Sequence, residues 1–345
     1  MTINIALATY DGIILGCDSL SSMSDSVIFP FSNNIEYAKD AEGNLIFDAT
    51  GHFVVAVNPA TVTRVATTVF GGVSKIFCLY EAEAENDETC VAAVTAGLAI
   101  LGGVTIAEQA KRYRRLCKQL GKTFSTVEAA ARDFFDFCSV IWDAQFGETP
   151  AEQRHFLPTL QFIVAGYGAE DANGKIFRID VQAQTVTEQF PGENYAGMCW
   201  AGASDYVERL MRGIDNSLVY AASRQISEAL ASQRVAVAED ITEALAKVGI
   251  KLHEGLELEI TEHTPPSLPW DIASADIDFG NLSTQYAVEL VELLVNTQSG
   301  MQRFARGIPT VGGRTHIGVL KRGEGFQLLN EPKLQHLHTG YSHDF

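Results

Sequence analysis

Residues 2–19 read TINIALATYDGIILGCDS, and this stretch predicts two paired strands at the very start of the chain. Apolar side chains at residues 3, 5 and 7 alternate with Asn4, Ala6 and Ala8, as in a strand. Tyr10-Asp11-Gly12 supplies the turn, and a second apolar run leads to Asp18. Chain ends are usually left loose, because ordering them costs backbone entropy. An ordered start therefore indicates that the terminus itself is used.

The composition is that of an ordered and acidic globular protein. Of 345 residues, 46% are hydrophobic and 20% charged, with 25 Lys and Arg against 43 Asp and Glu for a net charge of −18. That charge repels phosphate backbones and acidic membrane surfaces, so nucleic acid and membranes are not expected partners. No apolar run has the length of a membrane span, no secretory signal is recognisable, and the six cysteines form no C-x-x-C pair. We expect a cytoplasmic protein with reduced, buried cysteines.

The order of strand and helix signals indicates antiparallel sheets with helices on their outer faces. Strand patterns come first, two capped helices follow at about residues 105–120 and 125–146, and strands, helices and a closing hairpin complete the chain. Such segregated runs are typical of α+β proteins. We find no internal repeat and no low-complexity linker, and we predict one domain, with a helix at about 217–232 in a region of mixed signals.

The first residue after the initiator methionine carries a hypothesis about chemistry. Thr2 is small enough for an aminopeptidase to remove Met1, which leaves a free Thr2 amine. An N-terminal threonine then carries its own base, because an unperturbed α-amine has a pKa of about 7.7 to 8.0. Such a site also needs a nearby cation, a carboxylate that holds the cation, and backbone N–H groups for the oxyanion.

Three further residues could complete that site. Asp18 ends the second strand, which runs back along the first, so we expect it level with Thr2. Lys75 begins a strand directly after Gly71-Gly72-Val73-Ser74. Gly97 ends an apolar strand, where its amide is free to face a substrate carbonyl. Taken singly, Asp18 could equally cap a turn, and Lys75 could be a solvated charge.

The order of these residues is similar to that of a known family. The chain resembles the proteasome β-subunit and HslV-type peptidases, which are N-terminal nucleophile (Ntn) hydrolases. The stretches that carry the resemblance are TINIALATYDGIILGCDS, SKIFCL, CVAAVTAGLA, LQFIVAGYG, GKIFRID, AGAS and TVGGRTHIGVL. The site residues that it implies are Thr2 as nucleophile, Asp18 and Lys75 as its catalytic partners, Gly97 as the oxyanion-hole glycine, and Thr95 and Ala99 as the substrate pocket.

The resemblance implies a four-layer αββα sandwich of two antiparallel sheets. The single domain would span residues 1–345, with insertions at about 19–70 and 215–281 and a polar tail at 331–345. The implied activity is hydrolysis of peptide bonds by an N-terminal threonine. The implied partners are a peptide or unfolded-protein substrate, further copies of the chain in a ring or stack, and an ATPase unfoldase as a candidate.

The sequence also departs from the family pattern. Asp18 and Lys75 lie 57 positions apart, much further than is usual in the family, and Gly202 stands where a serine supports the terminal amine. Ser204 is a candidate stand-in, and Ser19 and Thr310 are the other candidate supporting residues. The chain therefore resembles the enlarged bacterial proteasome-like proteins more than the compact subunit. An inactive or structural assembly subunit, or a small-molecule amidase on the same fold, remains an alternative.

No cofactor and no metal are expected. The histidines of the tail, at positions 336, 338 and 343, lack carboxylate or cysteine partners in register and indicate a polar tail. The glycine pairs 102–103 and 312–313 stand in no phosphate-binding motif, which favours turns and close backbone contacts instead of a nucleotide site. The basic cluster at 111–115 is expected on a surface helix.

Overall fold

The computed structural model describes residues 2–27, 35–40, 42–57, 63–83, 87–150, 154, 157–192, 195–250, 274–305 and 307–330. The chain divides into two compact units. The first contains Met1–Ala203 and Asp278–Phe345, and the second contains Ser204–Ile277. The prediction of one domain with two insertions stays a prediction.

Two five-stranded antiparallel sheets form the centre of the first unit. The first sheet contains β1 (Ile3–Ala8), β2 (Ile13–Cys17), β14 (Gly197–Gly202), β15 (His316–Lys321) and β16 (Gly325–Leu328), in the order β14-β1-β2-β15-β16. The second contains β7 (Ile76–Glu81), β8 (Cys90–Gly97), β11 (Leu160–Tyr167), β12 (Lys175–Asp180) and β13 (Thr185–Gln189), in the order β13-β12-β11-β8-β7. A short β9–β10 hairpin (Ile100–Leu101 and Val104–Thr105) follows β8.

Helices cover the outer faces of both sheets. Helices α1 (Ile106–Leu120) and α2 (Val127–Phe146) pack on the second sheet, and α5 (Thr284–Gln302) packs on β1 and β2 of the first. One apolar cluster fills the space between the sheets, and a second lies between the second sheet and its two helices. This four-layer arrangement confirms the α+β αββα sandwich predicted from the sequence.

The helix boundaries depend on side-chain caps. Thr105 accepts a hydrogen bond from the Glu108 N–H at 3.3 Å, and Gly121 ends α1 in a left-handed conformation, as the sequence predicts. The predicted cap of α2 at Ser125 is wrong, since Thr126 caps the helix by accepting from the Ala129 N–H at 3.2 Å. These caps fix the first turn of α1 and of α2.

Four short strands lie in the region of the insertion predicted at about 19–70. Strand β3 (Ser21–Val27) pairs with β6 (Thr63–Phe70), and β4 (Ile35–Tyr37) pairs with β5 (Val55–Val57). Between β4 and β5 the chain makes the same turn twice, eight residues apart. Asp40 accepts from the Asn44 N–H at 2.8 Å, and Asp48 accepts from the His52 N–H at 2.9 Å. The expectation of no internal repeat is therefore wrong: DAEGNLIF is followed directly by DATGHFVV.

The second unit contains two helices, α3 (Asp205–Arg212) and α4 (Asn216–Lys247). Asp215 caps α4 by accepting from the Leu218 N–H at 2.8 Å. The helix predicted at 217–232 is half as long as α4, which continues to Lys247. Within the ranges that the structure describes, no helix combines the length and the apolar character needed to span a membrane.

Candidate active site at the start of the chain

The β1–β2 hairpin places Thr2 beside Asp18. Its register pairs Asn4 with Cys17, so the residues that precede β1 and follow β2 meet at the same edge of the sheet. The Thr2 hydroxyl donates to Asp18 Oδ1 at 2.7 Å, and the Ile3 N–H donates to the same oxygen at 3.1 Å. Thr2 is 3% exposed and Asp18 is 1% exposed. The turn at Asp11-Gly12 therefore sets the position of the two side chains at the far end of the hairpin.

Lys75 completes the contact from the neighbouring sheet. Its ammonium donates to Asp18 Oδ1 at 2.8 Å, and it also donates to Thr2 Oγ1 and to the Leu20 carbonyl. The backbone before β7 is held in place because the Val73 N–H donates to the Ser19 carbonyl at 3.0 Å. Lys75 is 5% exposed, so this ion pair lies out of bulk water.

Backbone N–H groups satisfy the other oxygen of Asp18. Oδ2 accepts from Leu20 N at 3.1 Å and from Gly312 N at 3.0 Å. Asp18 thus accepts five hydrogen bonds in all, which offset the loss of hydration of a buried carboxylate. Leu20 and Gly312 were not among the predicted site residues. The glycine pair at 312–313 was interpreted only as a close backbone contact, and that contact is with this carboxylate.

Gly97 lies across the cleft from these three side chains. Its φ is +95°, and a Cβ on it would lie 2.1 Å from the Thr159 carbonyl oxygen, so only glycine fits there. The Thr95 N–H donates to the Lys75 carbonyl at 3.0 Å. Alternate N–H groups of a strand point to the same edge, so the Gly97 N–H is directed past the start of β7. That direction leads into the cleft lined by Thr2 and Lys75.

The cleft above Thr2 is narrow. Its cavity volume is about 30 Å³, room for about two water molecules at its floor. Thr95 and Ala99, both predicted to line a substrate pocket, lie in its wall together with Gly97. The lining residues are Thr2, Leu20, Ser21, Ser22, Val73, Ser74, Lys75, Thr95, Ala96, Gly97, Leu98, Ala99, Thr105, Ile106 and Ala107.

The three predicted supporting residues lie in different surroundings. The Ser19 hydroxyl accepts from Arg314 N at 2.7 Å and so ties the end of β2 to the segment before β15. Ser204 belongs to the second unit, where its hydroxyl donates to Glu208 at 2.8 Å. The Thr310 hydroxyl is buried and has no hydrogen-bond partner among the described residues.

Gly202, at the position of the expected serine, packs directly on Thr2. Its φ is +87°, and a Cβ on it would lie 2.0 Å from the Thr2 carbonyl oxygen. That carbonyl accepts from Ala203 N at 2.7 Å. A serine therefore cannot occupy position 202 without moving the backbone that carries Thr2.

A row of buried polar side chains lies next to the site in the first sheet. The register places Asn4 opposite Cys17 and Cys17 opposite His316. Neither the Asn4 amide nor the His316 imidazole has a hydrogen-bond partner among the described residues. Burial lowers the pKa of His316 and raises the pKa of the Cys17 thiol, which argues against Cys17 as a nucleophile. No motif or spacing predicts this row, because only the types of its residues are visible in the sequence.

In the described ranges, no group of three or more His, Cys, Asp or Glu side chains is placed to hold a metal ion. The three tail histidines lie outside those ranges.

Comparisons with known proteins add a similarity of overall structure. No family model matches the chain, and no curated protein matches it. Among solved structures, Anbu (ancestral beta-subunit) from Yersinia bercovieri matches with a TM-score of 0.44 at 9% identity, covering 96% of this chain and 88% of that one. The Anbu (Gly-1) mutant from Hyphomicrobium sp. strain MC1 matches with a TM-score of 0.45 at 10% identity, covering 96% and 85%.

Proposed function

We propose that this chain hydrolyses amide bonds of peptides, with Thr2 as the nucleophile once Met1 has been removed. The contact of Thr2 Oγ1 with both Asp18 and Lys75 carries the proposal. Packing alone does not require a buried carboxylate and a buried ammonium to contact the same hydroxyl. The arrangement supplies a fixed positive charge where a nucleophilic oxygen develops negative charge.

The proposed reaction uses both functional groups of Thr2. The free amine takes the proton from Oγ, directly or through a water, as Oγ attacks the substrate carbonyl carbon. The Gly97 N–H donates to the oxyanion of the tetrahedral intermediate, and Lys75 stabilises the oxygen that attacks. Collapse of the intermediate breaks the C–N bond, and the protonated amine gives its proton to the leaving amine. An ester of Thr2 remains.

Water completes the cycle at the same place. The amine, neutral again, takes a proton from a water molecule that attacks the ester carbonyl. Collapse of this second intermediate breaks the bond to Oγ, Oγ takes the proton back from the amine, and the carboxylic acid is released. Asp18 takes no part in these proton transfers and holds Lys75 and the Thr2 hydroxyl in place. Thr95 and Ala99 would contact the substrate side chain next to the bond that is cleaved. The narrow floor of the cleft also suits small amides, so a small-molecule amidase is a second candidate.

An inactive assembly subunit is the candidate from another class. Gly202 provides no hydroxyl beside Thr2, and the Thr310 hydroxyl makes no hydrogen bond within the described ranges. Without these supports the Thr2 amine would be less well oriented. Whether the chain is a hydrolase or an inactive subunit, we propose that several copies of it assemble, as the sequence resemblance implies. An ATPase unfoldase as partner is expected from that resemblance alone.

Intact-mass measurement is the first test. We expect the purified protein to lack Met1, and retention of Met1 would favour the assembly subunit. Next, Thr2→Ala and Thr2→Ser variants are compared with the parent chain on fluorogenic peptides and small anilides. Both substitutions keep a small second residue, so Met1 removal is preserved. We expect Thr2→Ser to retain activity and Thr2→Ala to lose at least about a hundredfold. Equal activity of the parent and Thr2→Ala would refute the nucleophile, and the preferred substrate class separates peptidase from amidase.

A further inference from the structure

Helix α4 is long and buries none of its own residues. It runs from Asn216 to Lys247, 32 residues, which is about 48 Å of helix. Helices in proteins are stabilised mainly by packing an apolar face against a partner, and propensity alone contributes little. Among the described residues, α4 lacks such a packed face.

One side of α4 carries a continuous, mostly apolar stripe. At about 100° per residue, its members fall within an arc of about 100°. The four large aliphatic side chains at its centre are 37–40% exposed. Arg224, Glu228 and Glu239 lie on the opposite side, and Asp240 lies at the margin of the stripe. The members of the stripe are Val219, Ala222, Ile226, Leu230, Gln233, Val237, Ile241 and Ala244.

The spacing of the stripe residues along the sequence is the same when it is counted from either end. From Val219 to Ala244 its steps are 3, 4, 4, 3, 4, 4 and 3 residues, which is symmetric about the midpoint between residues 231 and 232. An interface between two identical chains related by a two-fold axis must be complementary to itself. A symmetric stripe meets that condition when two copies of the helix lie antiparallel.

We infer that α4 pairs with α4 of a second copy of this chain, antiparallel, with a two-fold axis between residues 231 and 232. Ile226 then lies opposite Val237, and Ala222 lies opposite Ile241. Leu230 lies opposite Gln233, so the two glutamines come close to the axis. A polar residue near the centre of an apolar seam fixes the register of such a pair. This inference does not depend on Thr2 being a nucleophile.

The size of the contact and the match of side chains both favour this pairing. Burial of the seven apolar side chains and of the polar side chains beside them on each helix removes on the order of 1,000 Å² from water, about the lower limit for a specific interface. Antiparallel pairing sets the small Ala222 against the large Ile241. Parallel pairing would set Ala222 against Ala222 and Asp240 beside Asp240, leaving a gap in one place and like charges in the other.

Cysteine cross-linking tests the orientation. The double variant Ile226→Cys/Val237→Cys is treated with a short bismaleimide and compared with each single variant and with the parent chain, which controls for the native cysteines. We expect dimer bands from the double variant only, because each engineered cysteine then faces its counterpart. A double variant that stays monomeric overturns the inference, as does a single Ile226→Cys variant that gives as much dimer.

A charge placed on each side of the helix tests the interface by a second route. Ile226→Asp lies in the stripe, and Val235→Asp is its matched control, since Val235 is 60% exposed on the opposite side. Sedimentation equilibrium should show a rise of at least about tenfold in the dissociation constant for Ile226→Asp and little change for Val235→Asp. Far-UV circular dichroism confirms that both variants keep their helix content. Equal weakening by both variants, or by neither, overturns the inference.

Discussion

Removal of one member of the Asp18–Lys75 pair should destabilise the protein by an amount that depends on which member is lost. In Lys75→Met the Asp18 carboxylate stays buried but keeps four donors, namely the Thr2 hydroxyl and the N–H groups of Ile3, Leu20 and Gly312. We therefore expect a loss at the low end of the range for a broken buried pair, about 3 kcal/mol in the free energy of unfolding.

Asp18→Asn should cost more, although it changes the shape of the side chain least. In this variant an NH₂ group replaces one carboxylate oxygen and faces the donors that this oxygen accepted from. These are at least two, because Oδ2 accepts from Leu20 N and Gly312 N, and Oδ1 accepts from three donors. Each buried donor without an acceptor costs about 1–3 kcal/mol, and the Lys75 ammonium loses its counter-charge as well. We expect a total loss of about 5 kcal/mol.

The double variant decides whether this reasoning holds. Asp18→Asn/Lys75→Met contains no unpaired buried charge, so its loss should be smaller than the sum of the single losses by about 2 kcal/mol or more. Urea denaturation followed by circular dichroism and tryptophan fluorescence gives the four free energies. Lys122→Met is a matched control, because the Lys122–Asp133 pair is about 30% exposed on each side, and its loss should be at most about 1 kcal/mol. Single losses that add to within about 0.5 kcal/mol in the double variant would refute the coupling.

Three further outcomes can be measured on the folded protein. Gly97→Ala should lower the melting temperature more than Gly103→Ala, because both glycines have a positive φ but only a Cβ at 97 meets a carbonyl oxygen; equal shifts would contradict the packing described. Burial lowers the pKa of His316, so the unfolded chain binds a proton that the folded chain does not, and stability should fall as the pH drops below about 6.5. His316→Gln should flatten that fall in urea titrations between about pH 7.5 and 5.5, whereas His52→Gln, at an exposed side chain, serves as the control; an unchanged slope in His316→Gln would count against the assignment. The Cys17 thiol is buried and its pKa is raised, so peptide mapping by mass spectrometry should show its alkylation only after unfolding.

The sequence predicted the contact of Thr2 with Asp18 because a short hairpin determines it. In a two-strand pairing the tight turn determines the register, and that register brings the two residues level. Leu20 and Gly312 could not be predicted in the same way. They bind Asp18 through backbone N–H groups, which every residue type except proline possesses, so no residue type signals them.

Local rules also left some boundaries open. Ser125 and Thr126 are adjacent and both suited to cap α2, and the choice depends on a distant residue, since Asp171 accepts from the Val127 N–H at 2.8 Å. The predicted helix at 217–232 covers only the first half of α4, although the 3–4 spacing of apolar residues continues through Val237, Ile241 and Ala244. The repeat at Asp40 and Asp48 was not predicted, because the similarity of two eight-residue segments in a single sequence is little more than chance would produce.

The hydrogen bond from Gly312 to Asp18 joins residues 294 positions apart. During translation the amino-terminal hairpin leaves the ribosome long before Gly312 is synthesised. The Asp18 carboxylate therefore lacks this donor until most of the chain has been made. Contacts across such a span form slowly, because the intervening loop has to close first. The Gly312 N–H is consequently the last of the five donors to Asp18 to be synthesised, and a truncated translation product leaves the carboxylate without this donor.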